Sequence, residues 1–156
     1  LIFRDHTSVP TIPALAKAWN YLDKNQYYHV SLIITDGLRT PADFVKALCL
    51  GTAGTTLSSA AIQAIGCVAA RMCNTNHCPT GIATQRPELS KQVNPEVASK
   101  RLARFLESSV ALMKLPARTY GHHHFSQFSV IDLTTWKREV SELSGVRLGG
   151  MSGYPS

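Results

Sequence analysis

The sequence predicts an α/β protein in which strand and helix alternate, on three observations. A β-branched apolar run, HVSLIITDG over residues 29–37, ends in an Asp-Gly turn, the pattern of a buried strand. A segment with helical spacing and its own cap follows directly. The same order then repeats, with AGTTLSS and AAIQAIG filling residues 53–66. Strand, helix, strand, helix in close succession places the two strands parallel in one sheet.

Each element has its own local warrant. The chain begins at Leu1 without an initiator methionine, in a stretch that reads as the middle of a connection, so a piece of a longer protein is expected. Thr11 to Lys24 places Leu15, Ala18, Trp19 and Leu22 on one helical face, with Thr11 as cap. After the first strand, Thr40 caps the next helix and Pro41 suits its first position. Phe44, Val45 and Leu48 give that helix its apolar face, Cys49 falls toward the core, and Gly51 ends it. Asn94 and Pro95 open a long helix to about Leu115, with Ala98, Leu102, Phe105, Leu106, Ser109 and Met113 facing the sheet. Beyond Pro116 the periodicity weakens into a polar loop holding His122, His123 and His124, then a last helix near Thr135 to Leu143. Trp19 and Trp136 sit in helical patterns as packing residues. The predicted division is a βα region over 1–115, a helical extension over 116–148, and a flexible Gly-, Ser- and Pro-rich tail over 149–156.

Composition narrows the function. With 156 residues and 44% hydrophobic content, the chain can bury a core of ordinary domain size. The formal charge of +6 is spread thinly, with a mild cluster at Lys100, Arg101 and Arg104. That is the basic face of a solvated helix, and no nucleic-acid partner is expected. No run approaches the roughly 18 apolar residues of a membrane span, and no basic-then-apolar leader opens the chain, so no membrane partner is expected. Four cysteines in a chain of this size make no disulfide scaffold. A reducing, cytoplasmic compartment with thiolates as metal ligands suits them better.

Three stretches hold chemistry. In parallel βα proteins the loops after the strands carry the ligand site, and helix N-termini favour phosphate. The turn TDGLRT offers Gly37 for close backbone approach and Arg39 for charge, although Asp-Gly is also an ordinary tight turn. The next turn offers the Ser58 and Ser59 hydroxyls, or a plain strand-to-helix cap. The third stretch is the most specific, because Cys67, Cys73 and Cys78 stand in the spacing C-x5-C-x4-C with Pro79 after the last. Soft thiolates clustered this way suit an iron–sulfur cluster or zinc. Structural zinc usually takes four ligands, and His77 or one of His122, His123 and His124 could complete such a set. Buried cysteines without metal remain the plain alternative.

Together, DGLRT, a βα unit, and IGC-x5-C-x4-CP-x-GIATQ closely resemble the FMN-binding synthase region of the glutamate synthase family, over most of the chain. The resemblance implies the C-terminal portion of a (β/α)8 TIM barrel, its last two βα units, with a helical C-terminal extension. A complete barrel takes about 250 residues. It further implies that Asp36, Gly37, Leu38 and Arg39, with Leu57, Ser58 and Ser59, help bind the FMN phosphate. Cys67, Cys73 and Cys78 would hold a three-iron four-sulfur (3Fe-4S) cluster. The implied parent activity is an oxidoreductase acting on CH–NH2 donors, the reductive amination of 2-oxoglutarate to glutamate. Its electrons would come from a donor subunit, ferredoxin or NAD(P)H, and this segment alone would be inactive. The chain departs from the family pattern at Asp36, Pro41, Ser58 and Ser59, and a carboxylate at Asp36 adds negative charge beside a phosphate. The alternative is a non-catalytic iron–sulfur or metal-binding module, or a degenerate remnant.

Overall fold

The structure, a computed structural model, describes residues 9–150. The first eight residues and most of the expected tail, from 151 on, lie outside the described residues. Helix α1 is Thr11–Lys24. Its cap is Pro10 rather than Thr11: the Pro10 carbonyl accepts the Ala14 N–H at 3.0 Å, and Thr11 is already helical. The buried stripe is also rotated from the expected one. Leu15 and Ala16 are buried and Ile12 and Leu22 half-buried, while Ala18 faces outward. Trp19 is 37% exposed, but one side of its ring lies where a Cβ on Gly51 would stand. Gly51 also adopts φ +92°, so both steric room and backbone conformation require glycine there.

Strand β1, Ile33–Thr35, and strand β2, Gly54–Thr56, pair in parallel with Ile33 opposite Gly54 and Thr35 opposite Thr56. Helix α2, Pro41–Cys49, is the crossover between them. It begins as its sequence dictates. Thr40 and Asp43 form a reciprocal capping box and Pro41 takes the first turn, where its missing N–H costs nothing. The Ala53 N–H donates to the Leu32 carbonyl at 2.8 Å, and the buried Thr52 hydroxyl lies 3.0 Å from that carbonyl and 2.6 Å from the carbonyl of Gly54. These contacts pin the register at the entry to both strands. β1 was expected to be covered on both faces, yet Ile34 is buried while Ile33 is 68% exposed. The described helices cover one face of a two-stranded sheet, and no barrel closes within these residues.

Helix α3, Ser59–Ala64, leads into the cysteine segment, and a short α4, Pro87–Ser90, follows it. Helix α5, Pro95–Thr119, starts at Asn94, whose side chain accepts the Val97 N–H. Two features of α5 differ from expectation. It packs mainly on α2 and α3 rather than on the sheet, and it runs through Pro116 instead of stopping there. Proline inside a helix removes a hydrogen bond and crowds the preceding turn. Here the burial of Met113 and Ala117 on either side of it holds the last turn in place. Leu106, at the edge of the apolar stripe, is 41% exposed.

The extension contains helix α6, Arg138–Ser144, starting three residues later than expected and ending one residue beyond. It packs on α1. Flanking it are two strands that no periodicity announces, β3 at Thr134–Thr135 and β4 at Arg147–Leu148, paired in parallel. Two-residue strands are too short to carry a pattern. Gly145 ends α6 at φ +73°, and the Gly149 N–H donates to the Thr135 carbonyl at 2.7 Å. Trp136, expected to pack, is 83% exposed, with the Lys137 ammonium 5.4 Å from its ring. Among the described residues one core joins Leu15, Ile34, Phe44, Leu50, Met113, Phe128 and Val146. No helix among the described residues is long and apolar enough to cross a membrane.

One polar contact ties the extension to the end of α5. His122 Nε2 and Asp132 Oδ2 are 2.8 Å apart with little side-chain exposure, and the Ser129 N–H also donates to that oxygen at 2.9 Å. Burial raises the Asp132 pKa, but the Ser129 N–H and the hydrogen bond and charge of His122 outweigh it and leave the carboxyl below its ordinary value. Its stabilisation is therefore complete above the unfolded carboxylate range, about pH 4, and is lost as pH falls through the lower folded value. Asp132→Ala is expected to cost about 1–3 kcal/mol at pH 7, read by urea unfolding. The gap between variant and parent should close as the pH is lowered below 4; a gap constant with pH would contradict the assignment.

Candidate functional site

The parallel register brings the two predicted turns to one sheet edge. Because Thr35 is opposite Thr56, residues Asp36–Arg39 and Leu57–Ser59 leave the sheet side by side at the strands' C-terminal ends. The first turn is already internally bonded. Asp36, at φ +67°, accepts the Gly37 N–H on its own carboxylate at 2.8 Å. The N–H groups of Arg39 and Thr40 both donate to Asp43 Oδ2, at 3.2 and 3.0 Å. Burial raises the Asp43 pKa, yet the Thr40 hydroxyl, those two N–H groups and the Lys46 charge together bring it below its usual value. Gly37 is at φ +74°, and a Cβ there would lie 3.1 Å from the Thr11 hydroxyl. Its close approach is therefore to α1. Leu38 is buried and Arg39 exposed. At the second turn Leu57 and Ser59 are half-buried, while Ser58 is exposed and makes no capping bond.

The three cysteines do converge. Cys67, Cys73 and Cys78 line one small cavity of about 10 Å³, together with Arg71, Met72 and Thr80. Cys67 follows the end of α3, Cys73 opens a short 3-10 turn, and Cys78 is buried at 7% exposure. The Cys67 sulfur accepts the Ala69 N–H at 3.4 Å, and Cys78 Sγ lies 3.4 Å from the Thr80 hydroxyl. The Cys78 thiol is lowered to about 7, first by the Thr80 hydroxyl and then by the backbone N–H groups of Ala83, Thr80 and Ile82. Those donors favour the thiolate, the form that binds metal. Cys49 is the opposite case: buried on α2, its thiol is pushed up to about 12 by desolvation and then by the Asp132 charge. It belongs to the core, as its place in the sequence indicates.

The donor set is three soft thiols, a chemistry that suits iron–sulfur or zinc. Among the described residues no three His, Cys, Asp or Glu side chains are close enough to hold one metal ion. A tetrahedral ion at a zinc–sulfur distance of about 2.3 Å would bring its sulfurs to about 3.8 Å from one another. An iron–sulfur cluster spaces its thiolates more widely. Two of the histidines considered as a fourth zinc ligand make hydrogen bonds of their own, which for His77 leaves Nε2 uncommitted. His77 Nδ1 bonds the Thr75 carbonyl at 2.7 Å, and His122 bonds Asp132.

What holds the loop escaped the sequence reading. Asn76, in the left-handed region at φ +61°, accepts the Thr84 hydroxyl on its side chain at 2.9 Å and the Gln85 N–H at 2.7 Å. The same hydroxyl lies 2.8 Å from the Asn76 carbonyl. Asn76 thus clips the stretch between Cys73 and Cys78 to the GIATQ segment. Gly81, at φ +74°, has the Leu89 carbonyl of α4 where a Cβ would stand. An Asn between cysteines and a Gly after the last one were the available signals, and their meaning depends on partners eight or more positions away.

A parallel βα unit whose second helix runs into a loop bearing three cysteines defines an α/β protein with its candidate chemistry at the strands' C-terminal side. Residues 1–122 match the family described as the conserved region in glutamate synthase. The chain is 38% identical to an archaeal glutamate synthase (NADPH) of Methanocaldococcus jannaschii over 69% of its length and 21% of the relative's. It is 36% identical to the corresponding protein of Archaeoglobus fulgidus over 92% of its length and 30% of the relative's. It is 30% identical to a glutamate synthase large subunit-like protein of Rhizobium meliloti over 99% of its length and 39% of the relative's. No solved structure matches. The chain belongs to the glutamate synthase family and spans between about a fifth and two fifths of these relatives.

Two substitutions test the loop architecture. Gly81→Ala adds a Cβ into backbone and forces a left-handed alanine, so a loss of at least about 1–2 kcal/mol is expected in urea unfolding. Asn76→Ala, which loses both side-chain bonds and leaves an alanine at φ +61°, should cost about 1 kcal/mol or more in urea unfolding and speed hydrogen exchange at the Gln85 amide about tenfold or more. Unchanged exchange would mean that Asn76 does not anchor the loop.

Proposed function

We propose that this chain is the C-terminal part of the synthase region of a glutamate-synthase-like iron–sulfur flavoprotein oxidoreductase. The convergence of Cys67, Cys73 and Cys78 on one cavity carries the reading. In it these three thiolates hold a three-iron four-sulfur cluster, with Cys78 kept in its ligating form by Thr80 and the neighbouring N–H groups. Family membership supports the barrel, and so does the uncovered face of β1, where Ile33 stands 68% exposed. Further strands of a longer protein would cover it.

The FMN phosphate would lie along the shared strand edge. Arg39 would supply charge, Gly37 and Leu38 would supply backbone, and Leu57, Ser58 and Ser59 would border it, with Ser58 offering an uncommitted cap position. Asp36 turns its carboxylate onto the Gly37 N–H, which keeps part of its charge bonded inside the turn. When bound, the flavin would supply hydride chemistry and the cluster one-electron transfer. The residues of this chain position and electrostatically tune those groups. The whole protein would then aminate 2-oxoglutarate reductively to glutamate in the cytoplasm, drawing electrons from NAD(P)H, ferredoxin or a donor subunit.

One observation favours the second reading, a non-catalytic iron–sulfur module. The N–H groups of residues 37, 39 and 40 already have carboxylate acceptors in Asp36 and Asp43, so a phosphate there must displace a side chain. Cofactor analysis of the native full-length protein decides between the two. Iron, labile sulfide and stoichiometric flavin are expected, with cluster absorbance lost in Cys67→Ala, Cys73→Ala or Cys78→Ala and flavin lost when Gly37 and Ser58 become Leu. Iron and sulfide without flavin would establish the module instead. Full metal content in all three cysteine variants would overturn both.

A further inference from the structure

We propose a second binding site, for a phosphate- or carboxylate-bearing small molecule, in the cavity between the end of α5 and the three-histidine turn. The cavity holds about 490 Å³ and is lined by Lys114, Arg118, His122, His123, His124 and Phe125. That volume falls in the range of about 300–1,000 Å³ typical of small-molecule sites. No acidic side chain lines it. Asp132, behind His122, is committed to His122 and the Ser129 N–H, and Glu107 lines a separate cavity that Lys114 and Arg118 also border.

The charge here is concentrated and unspent. Lys114 and Arg118 stand one helical turn apart on α5, where side chains share a face. Among the described residues neither has an ion-pair partner; the pairs there are Lys46 with Asp43, Lys100 with Glu96, and His122 with Asp132. A cation in the last turn also complements the helix dipole, which would account for Arg118. It does not account for the imidazoles gathered on the same cavity.

The turn that carries those imidazoles is pre-organised. The Gln127 side-chain oxygen accepts the N–H groups of His123 and His124 at 2.6 and 2.8 Å. His124 Nδ1 accepts the Ser126 N–H at 3.1 Å, which leaves Nε2 as the ring's proton-bearing donor. His122 is held by Asp132 and meets Phe128 edge-on at 5.4 Å. A guanidinium fork, an ammonium and the His124 Nε2–H around one space form a receptor for an oxyanion. A lone phosphate would leave most of the volume empty. Phe125, stacked at 16° on the buried Phe128, gives the rest of the ligand an apolar wall.

The test is isothermal titration of the native full-length protein, with pyrophosphate and citrate as separate probes at low and physiological salt. A Kd below about 1 mM at low salt, weakened as salt screens the cations, is expected for at least one probe. A stronger pyrophosphate signal assigns the phosphate class, and a stronger citrate signal the carboxylate class. Lys114→Ala with Arg118→Ala should weaken binding about tenfold or more, and the exchange Lys114→Arg with Arg118→Lys should restore most of it. Should the alanine pair disturb folding, His123→Gln with His124→Gln at two exposed positions serves as the second variant and should weaken binding several-fold. No detectable heat with either probe, or equal binding in these variants, overturns the proposal. Cluster and flavin content are independent of every outcome, so the two proposals fail separately.

Discussion

Everything placed at the candidate site follows from the in-register parallel pairing of β1 with β2. Three contacts at one end set that register: the Ala53 N–H on the Leu32 carbonyl, and the Thr52 hydroxyl near the carbonyls of Leu32 and Gly54. A slip of one residue in a strand reverses which side chains face the core. Ile34 would then leave the cluster it shares with Leu15, Phe44 and Leu50. The same register sets where both turns emerge and where α3 begins, and α3 delivers Cys67. A buried threonine at the entry of the sheet thereby governs chemistry at its far edge.

The cysteine loop obeys a different logic. It lies outside the continuous core and takes little stabilisation from apolar burial. Ala69, Arg71 and Asn76 are all at positive φ, between 55° and 61°, a region that costs a residue with a Cβ roughly 1–2 kcal/mol. Asparagine bears this more easily than alanine or arginine because its side chain can bond locally, and Asn76 does so through Thr84 and Gln85. The loop is thus shaped by a few polar contacts and by Gly81 against α4. A cluster bound by its three thiols would add the cross-linking that packing does not provide.

Legibility followed the range of the interactions. Thr40, Pro41 and Asp43 form their cap within four residues, and Asn94 caps α5 in the same way, so these starts were readable from composition and spacing. The cap of α1 was misplaced by one residue because Pro10 supplies only a carbonyl, with no side-chain signal. Pro116 looked like a stop because the local penalty is real; burial of Met113 and Ala117 overrides it. Trp136 looked like a packing residue, and only the path of the chain around β3 shows it exposed.

The sequence by itself determined the alternation of strand and helix, the two turns, the clustering of three soft ligands and the kinship with the glutamate synthase family. These are matters of nearest neighbours, periodicity and motif. Only the tertiary structure decided that the three cysteines share one cavity, that Asn76 and Gly81 hold their loop, and that the donors beside Asp36 and Asp43 are already engaged. It also decided that the histidine run faces Lys114 and Arg118 across a common space. The physical reason is the same each time: a hydrogen bond or a steric limit between residues far apart in the chain leaves no periodic trace in either.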